Sequence, residues 1–180
     1  TELIKNTRVF KEFERSFNHF FEECERGFIN EMIINMYARI YTRGKTVISY
    51  KSNVKEMYFI RQGLVEVYNN EMDEVEKDQP ILYLPKYSYF GDYQILNSLK
   101  ANLVFKTTRR KPIDKAEVVP DIIFMCIEKN KLLELCDLFP QTGLNIKNRS
   151  LERRTHMMKI KNTNSKSYES RVHQHEDLDF

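Results

Sequence analysis

The chain lacks a strong charge of either sign. Its formal net charge is only +3, from 29 lysines and arginines against 26 aspartates and glutamates spread along 180 residues, and such a balance does not mark a nucleic-acid binder. The small clusters Arg109-Arg110-Lys111 and Arg153-Arg154 therefore read as solvated surface. Cysteine is scarce: Cys24, Cys126 and Cys136 stand at apolar positions without metal-ligand spacing, as reduced, buried thiols do, and no disulfide framework is expected. The four histidines, His19, His156, His173 and His175, fall outside every strand read below, so the histidine and carboxylate cluster of a barrel-fold metalloenzyme is missing. Catalytic residues: none; metal site: none. His173-Gln174-His175-Glu176-Asp177 reads as an exposed polar tail rather than a chelator. No apolar stretch is long enough to span a bilayer, and no basic, apolar, small-residue signal opens the chain, which is the sequence of a soluble segment. Thr1 leads straight into a charged, aromatic helical pattern, as in a piece cut from a longer protein.

What is present is enough for one domain with a real core. From Phe10 to Met36 the apolar residues Phe10, Phe13, Phe17, Phe20, Phe21, Cys24, Phe28, Met32 and Met36 recur at helical steps, with a break expected around Glu22–Gly27. The phenylalanine stripe reads as core. Strand-like runs follow at 37–42 and 46–50 around Gly44. Residues 57–60 and 64–68 read as a hairpin turning at Gln62-Gly63, and the acidic segment from Asn69 to Asp78 as an exposed loop. Further strands are expected at 81–84, 101–107 and 122–127. Residues 128–138 show a leucine-rich helix stopped before Pro140, and a second helix is read from about Gln141 to Lys161, with Leu144, Leu151 and Met158 as its sparse apolar face. From Asn162 onward no pattern is visible, and the composition is that of a flexible end.

Short strands at even spacing, bracketed by helices rather than alternating with them, predict an α+β chain: an antiparallel β-roll, a double-stranded jelly-roll-like barrel, flanked by N-terminal helices and two C-terminal helices. The expected divisions are 1–35 for the N-terminal helices, 36–127 for the roll, 128–161 for the closing helices and 162–180 for the tail. The chain is organised around residues 81–105, where an apolar strand enters Phe90-Gly91-Asp92, one helical turn follows and a strand resumes at Ala101-Asn102. Glycine permits close approach or positive φ, and the amides of a short helix after it face whatever occupies the corner. That geometry suits a phosphate.

Three stretches in order, Tyr41-Thr42-Arg43-Gly44-Lys45-Thr46-Val47-Ile48, Met57-Tyr58-Phe59-Ile60-Arg61-Gln62-Gly63-Leu64-Val65-Glu66-Val67-Tyr68 and Phe90-Gly91-Asp92, resemble the cyclic nucleotide-binding domain family over roughly residues 17–160. The resemblance implies a phosphate-binding cassette at 90–103 with Phe90, Gly91, Asp92, Leu99, Lys100, Ala101 and Asn102 as its site residues. In binding members a glutamate after Phe-Gly holds the ribose 2′-hydroxyl, and an arginine before a Thr-Ala or Ala-Ala pair holds the cyclic phosphate. Here Asp92 is one methylene shorter, and the arginine position is Leu99 or, aligned without a gap, Ala101. Lys100 and Lys106 stand nearby but lack the planar fork of a guanidinium.

These departures are similar to the binding-homology domains of ether-à-go-go-type potassium channels, in which a segment after the last helix fills the cavity. The resemblance therefore implies a cytoplasmic regulatory domain of a membrane protein, modulating the gating of a cation channel, with a transmembrane region upstream in the same chain, a homotetramer at full length and no nucleic-acid partner. No cofactor is expected, and any cAMP or cGMP binding is expected to be weak. The alternative is a genuine cAMP or cGMP sensor of a kinase regulatory subunit, exchange factor or nucleotide-gated channel. A tail segment containing Tyr168, or else Leu178 and Phe180, is expected against the Phe90-Gly91-Asp92 corner as an intrinsic ligand.

Overall fold

The phenylalanine stripe makes the first contact between helix and sheet. The computed structural model describes residues 8–70, 79–110 and 121–176, with side chains described as far as 165. Helices α1 (Arg8–Ser16) and α2 (Asn18–Phe21) bury Phe10, Phe13, Phe20 and Phe21, with Phe17 buried between them. The rings of Phe17, Phe20 and Phe13 stand edge-on 5.1, 5.2 and 5.8 Å from that of Phe59, an arrangement worth about 0.5–1.5 kcal/mol per pair beyond area burial. The break before α3 (Arg26–Ile34) falls at 22–25, where Glu23 takes φ 61°. Gly27 lies inside α3 instead, where its missing side chain admits the Phe139 ring, which a Cβ would meet at 2.7 Å.

The roll follows: β1 (Tyr37–Tyr41), β2 (Thr46–Ile48), β3 (Glu56–Gln62), β4 (Val65–Tyr68), β5 (Leu82–Leu84), β6 (Tyr89–Phe90), the short helix α4 (Asp92–Leu96), β7 (Val104–Thr107) and β8 (Ile122–Glu128). Two antiparallel four-stranded sheets form, ordered β1-β8-β3-β6 and β2-β7-β4-β5. The α+β roll expected from the pattern is the observed fold. Its interior is aromatic: Phe90 stacks 4.9 Å from Phe105 and 5.0 Å from Tyr58, and Phe124 meets Phe90 edge-on.

The hairpin read at Gln62-Gly63 is not one. β3 pairs with β6 and β8, whereas β4 pairs with β5 and β7, so Gly63 at φ 99° carries the chain from one sheet to the other. A period-two pattern reports which face of a strand is buried but not which strand it pairs with. Asn69, read as part of an exposed loop, is 1% exposed and donates from Nδ2 to Ser165 Oγ at 3.1 Å.

Helix α5 (Lys129–Leu138) is capped by Glu128, whose side chain accepts from the Lys131 amide, and buries Leu132 and Leu135. Pro140 both stops α5 and opens α6 (Pro140–Glu176), as a proline without an amide hydrogen can at a first helical position. Two expectations fail here. The segment from Asn162 to Glu176 continues the helix, because backbone bonds within a helix are local and each added residue gains one whatever its side chain. The sparse apolar face is also only in part the packed one: Leu144 and Leu151 are 53% and 42% exposed, while Met158 packs on the core and Thr142, Ile146, Ser150, Met157 and Lys161 are buried. The polar members of that mixed face are buried because they make hydrogen bonds across the interface: Thr142 Oγ1 accepts from the Glu25 amide and donates to Glu25 Oε2, each at 3.0 Å. Among the described residues, no helix is long and apolar enough to cross a membrane.

Candidate functional site

The corner is built by close backbone approach. Gly91 has φ 89°, and a Cβ on it would lie 2.9 Å from the Glu56 carbonyl oxygen, so β6 meets β3 there only because the residue is glycine. α4 starts at once and buries Asp92, Tyr93, Gln94, Ile95 and Leu96. Phe90, 2% exposed, faces the aromatic interior, where it anchors the corner.

Asp92 is 2% exposed and does not stand alone. Arg153 of α6 donates from Nε to Asp92 Oδ2 at 2.9 Å and from Nη2 to the Tyr89 carbonyl at 2.7 Å, with its guanidinium 4.0 Å from the centre of the Tyr89 ring. Burial pushes the Asp92 carboxyl above the ordinary range, opposed by the attraction and hydrogen bond of Arg153. Oδ1 is buried and has no hydrogen-bond partner among the described residues. The reading of Arg153 as solvated surface is thus overturned: a buried carboxylate needs a paired cation, and helix periodicity places Arg153 three residues after the buried Ser150.

At the far end of the cassette the backbone is already committed. The Ala101 amide donates to the Ser52 carbonyl at 3.0 Å, and the Ala101 carbonyl accepts from the Lys51 amide at 2.7 Å. Leu99 is half-buried and packs on the core, Lys100 is exposed, and Asn102 donates from Nδ2 to Met158 Sδ at 3.0 Å, its buried Oδ1 having no partner among the described residues. The guanidinium at this corner therefore comes from α6 and is turned to the acid.

Helix α6 lies along the whole edge. Asn97 donates to Ser150 Oγ at 3.1 Å, so Ser150, Arg153, Met158 and Ser165 tie the helix to α4, the corner, the start of β7 and the end of β4. Arg149 reaches the other way, donating from Nη1 to the His19 carbonyl at 3.0 Å and from Nη2 to the Phe20 carbonyl at 2.9 Å, at the C-terminal end of α2. His19 stacks on Tyr89 with ring centres 5.3 Å apart, and burial, followed by the charges of Arg153 and Arg149, lowers its pKa. Sequence reasoning missed Asn69, Arg149, Ser150 and Arg153; the one signal for the three in α6 was their helical spacing, and Asn69 had none. Of the intrinsic-ligand residues, Tyr168 lies in α6 with its side chain outside the described residues, and Leu178 and Phe180 lie outside them entirely.

Among the described residues no group of three histidines, cysteines or carboxylates could hold a metal ion. The three cysteines are free, and burial pushes the Cys126 thiol up to about 12 and Cys136 up to about 11.

No family model matches the chain. It is 26% identical over 121 residues to cyclic nucleotide-gated channel alpha-3 of Homo sapiens, covering 67% of this chain and 16% of that protein. To potassium channel SKOR of Arabidopsis thaliana it is 23% identical over 145 residues, 81% of this chain and 16% of that one. The chain thus spans less than a fifth of the curated relatives it matches. In structure it is similar to Thermus thermophilus catabolite activator protein, with a TM-score of 0.59 at 14% identity over 82% of this chain and 62% of that one. The cAMP-bound PfPKA-R structure gives 0.59 at 14% identity over 73% and 43%. The chain is thus similar in sequence to parts of cyclic nucleotide-gated and potassium channels, and its roll has the fold of the catabolite activator protein and of the cAMP-bound regulatory subunit.

Proposed function

We propose that the chain is the cytoplasmic regulatory domain of a cation channel, a voltage-gated potassium channel before others, which modulates gating and binds cAMP or cGMP weakly or not at all. The transmembrane region would precede it in the same chain, and four copies would meet in the full-length protein. One observation carries the weak-binding reading: neither position at which the arginine is expected offers a phosphate a guanidinium, since Leu99 packs on the core and Ala101 has its amide bonded to Ser52, while Lys100 between them is an exposed ammonium without the planar fork. A desolvated bidentate guanidinium contact contributes on the order of 2–5 kcal/mol, so its absence costs about thirtyfold to several thousandfold in affinity. Gating would be relayed by α6, which holds the corner through Arg153 and the N-terminal helices through Arg149.

Titration calorimetry of the purified chain with cAMP and with cGMP tests this reading. Affinities in the high micromolar range or weaker are expected; submicromolar binding of either overturns it. That second result would favour a genuine sensor, for which the unpartnered buried oxygens Asp92 Oδ1 and Asn102 Oδ1 are the supporting observation, because they could accept bonds from a polar ligand.

A further inference from the structure

Away from the cassette, a half-open cavity of about 410 Å³ lies between α1 and the roll, within the size range of small-molecule sites. Phe10, Phe13, Phe17, Ile33, Met36 and Met125 supply its apolar wall. The same cavity is edged by Arg61 and Lys86, both exposed. Among the described residues, no carboxylate forms an ion pair with either cation, and Glu12 is the one acid in the lining. Between wall and edge stands Tyr87, 43% exposed, with its ring 6.0 Å from that of Phe17 and the Lys86 ammonium 4.8 Å above it. Its φ of 73° is a left-handed conformation that a tyrosine adopts only when its surroundings enforce it; here its amide donates to the Ile60 carbonyl at 2.8 Å.

An apolar wall alone would suit any hydrocarbon. Two exposed cations at one edge, without carboxylate partners among the described residues, select a ligand with an apolar body and a negative end. We propose that this cavity is a binding site for a free long-chain carboxylate, its hydrocarbon lying on the phenylalanine and methionine wall and its head held by Arg61 and Lys86. The site shares no residue with the cassette and does not depend on the nucleotide reading.

The test is calorimetric titration of the 180-residue chain with tetradecanoate below its micellar concentration, with tetradecan-1-ol as the uncharged probe. Saturable one-to-one binding of the acid is expected, stronger than that of the alcohol. The double substitution Arg61→Gln, Lys86→Gln should weaken the acid by roughly tenfold or more and leave the alcohol unchanged. Ser16→Trp, which places a ring in the cavity from the α1 side, should abolish both, and Met36→Trp repeats that test from the α3 side if the first variant fails to fold by circular dichroism. No saturable binding of tetradecanoate, binding that survives in a folded cavity-filled variant, or an equal response of acid and alcohol to the charge removal would each overturn the proposal.

Discussion

Arg153 Nε lies 2.9 Å from Asp92 Oδ2, so the last helix holds the residue that follows the glycine corner. Arg153→Ala would leave a carboxylate that is 2% exposed without its cation, a defect that typically costs 3–5 kcal/mol. Because the Arg153 side chain is itself 36% exposed, a loss of about 2–3 kcal/mol is expected in urea unfolding. The pair Asp92→Asn, Arg153→Gln should lose less than the sum of the single losses; strict additivity would show that the two do not interact.

The pH dependence of this pair has a defined sign. Burial raises the folded-state pKa of Asp92, with Arg153 pulling against it. An acid with a raised folded pKa binds its proton more tightly when folded, so its contribution to stability is present at low pH and is lost as pH climbs from the unfolded value of about 3.9 through the folded one. Asp92→Asn removes that loss. The melting temperature of the variant minus that of the wild type should therefore grow as pH rises from about 4, and a difference that shrinks would show that Arg153 outweighs burial.

Gly91→Ala should destabilise the chain by about 2 kcal/mol or more. The left-handed φ costs an alanine roughly 1–2 kcal/mol, and the new Cβ would stand 2.9 Å from the Glu56 carbonyl, a backbone atom that cannot swing away. Chemical denaturation measures it; a change under about 0.5 kcal/mol would mean that the corner relaxes freely.

Leu99→Arg should raise affinity for cAMP or cGMP by about tenfold or more if position 99 faces the phosphate. Calorimetry beside the wild type is the comparison. No gain in a folded variant would move the phosphate position to Ala101.

Arg149 spans two carbonyls of the α2 turn, those of His19 and Phe20. Arg149→Lys should not restore what Arg149→Ala loses, because an ammonium lacks the fork that reaches both acceptors. Hydrogen exchange of the amides at 20–24 should rise similarly in both variants. Wild-type protection in the lysine variant would reduce Arg149 to a simple charge.

The order of elements was legible because it rests on local chemistry. The helical spacing of Phe10, Phe13, Phe17 and Phe20, the apolar run at 57–60, the alternation in 64–68, the glycine at 91 and the proline at 140 each act over a few residues, and together they specified a roll between helices. Strand partners were not legible. Gly63 permits a sharp turn in any sheet, and only packing of the two sheets decided that β3 and β4 separate there. The site divided in the same way: the corner and the apolar Leu99 were visible in the chain, but the partner of Asp92 was not. Arg153 lies 61 positions away on a helix whose buried face includes Thr142 and Ser150. Of the apolar residues read along α6, Leu144 and Leu151 are exposed and Met158 packs on the core, and the burial of Thr142 and Ser150 could not be read from the chain, because a polar side chain is buried where the fold supplies its hydrogen bond and that bond exists only once the helix has docked.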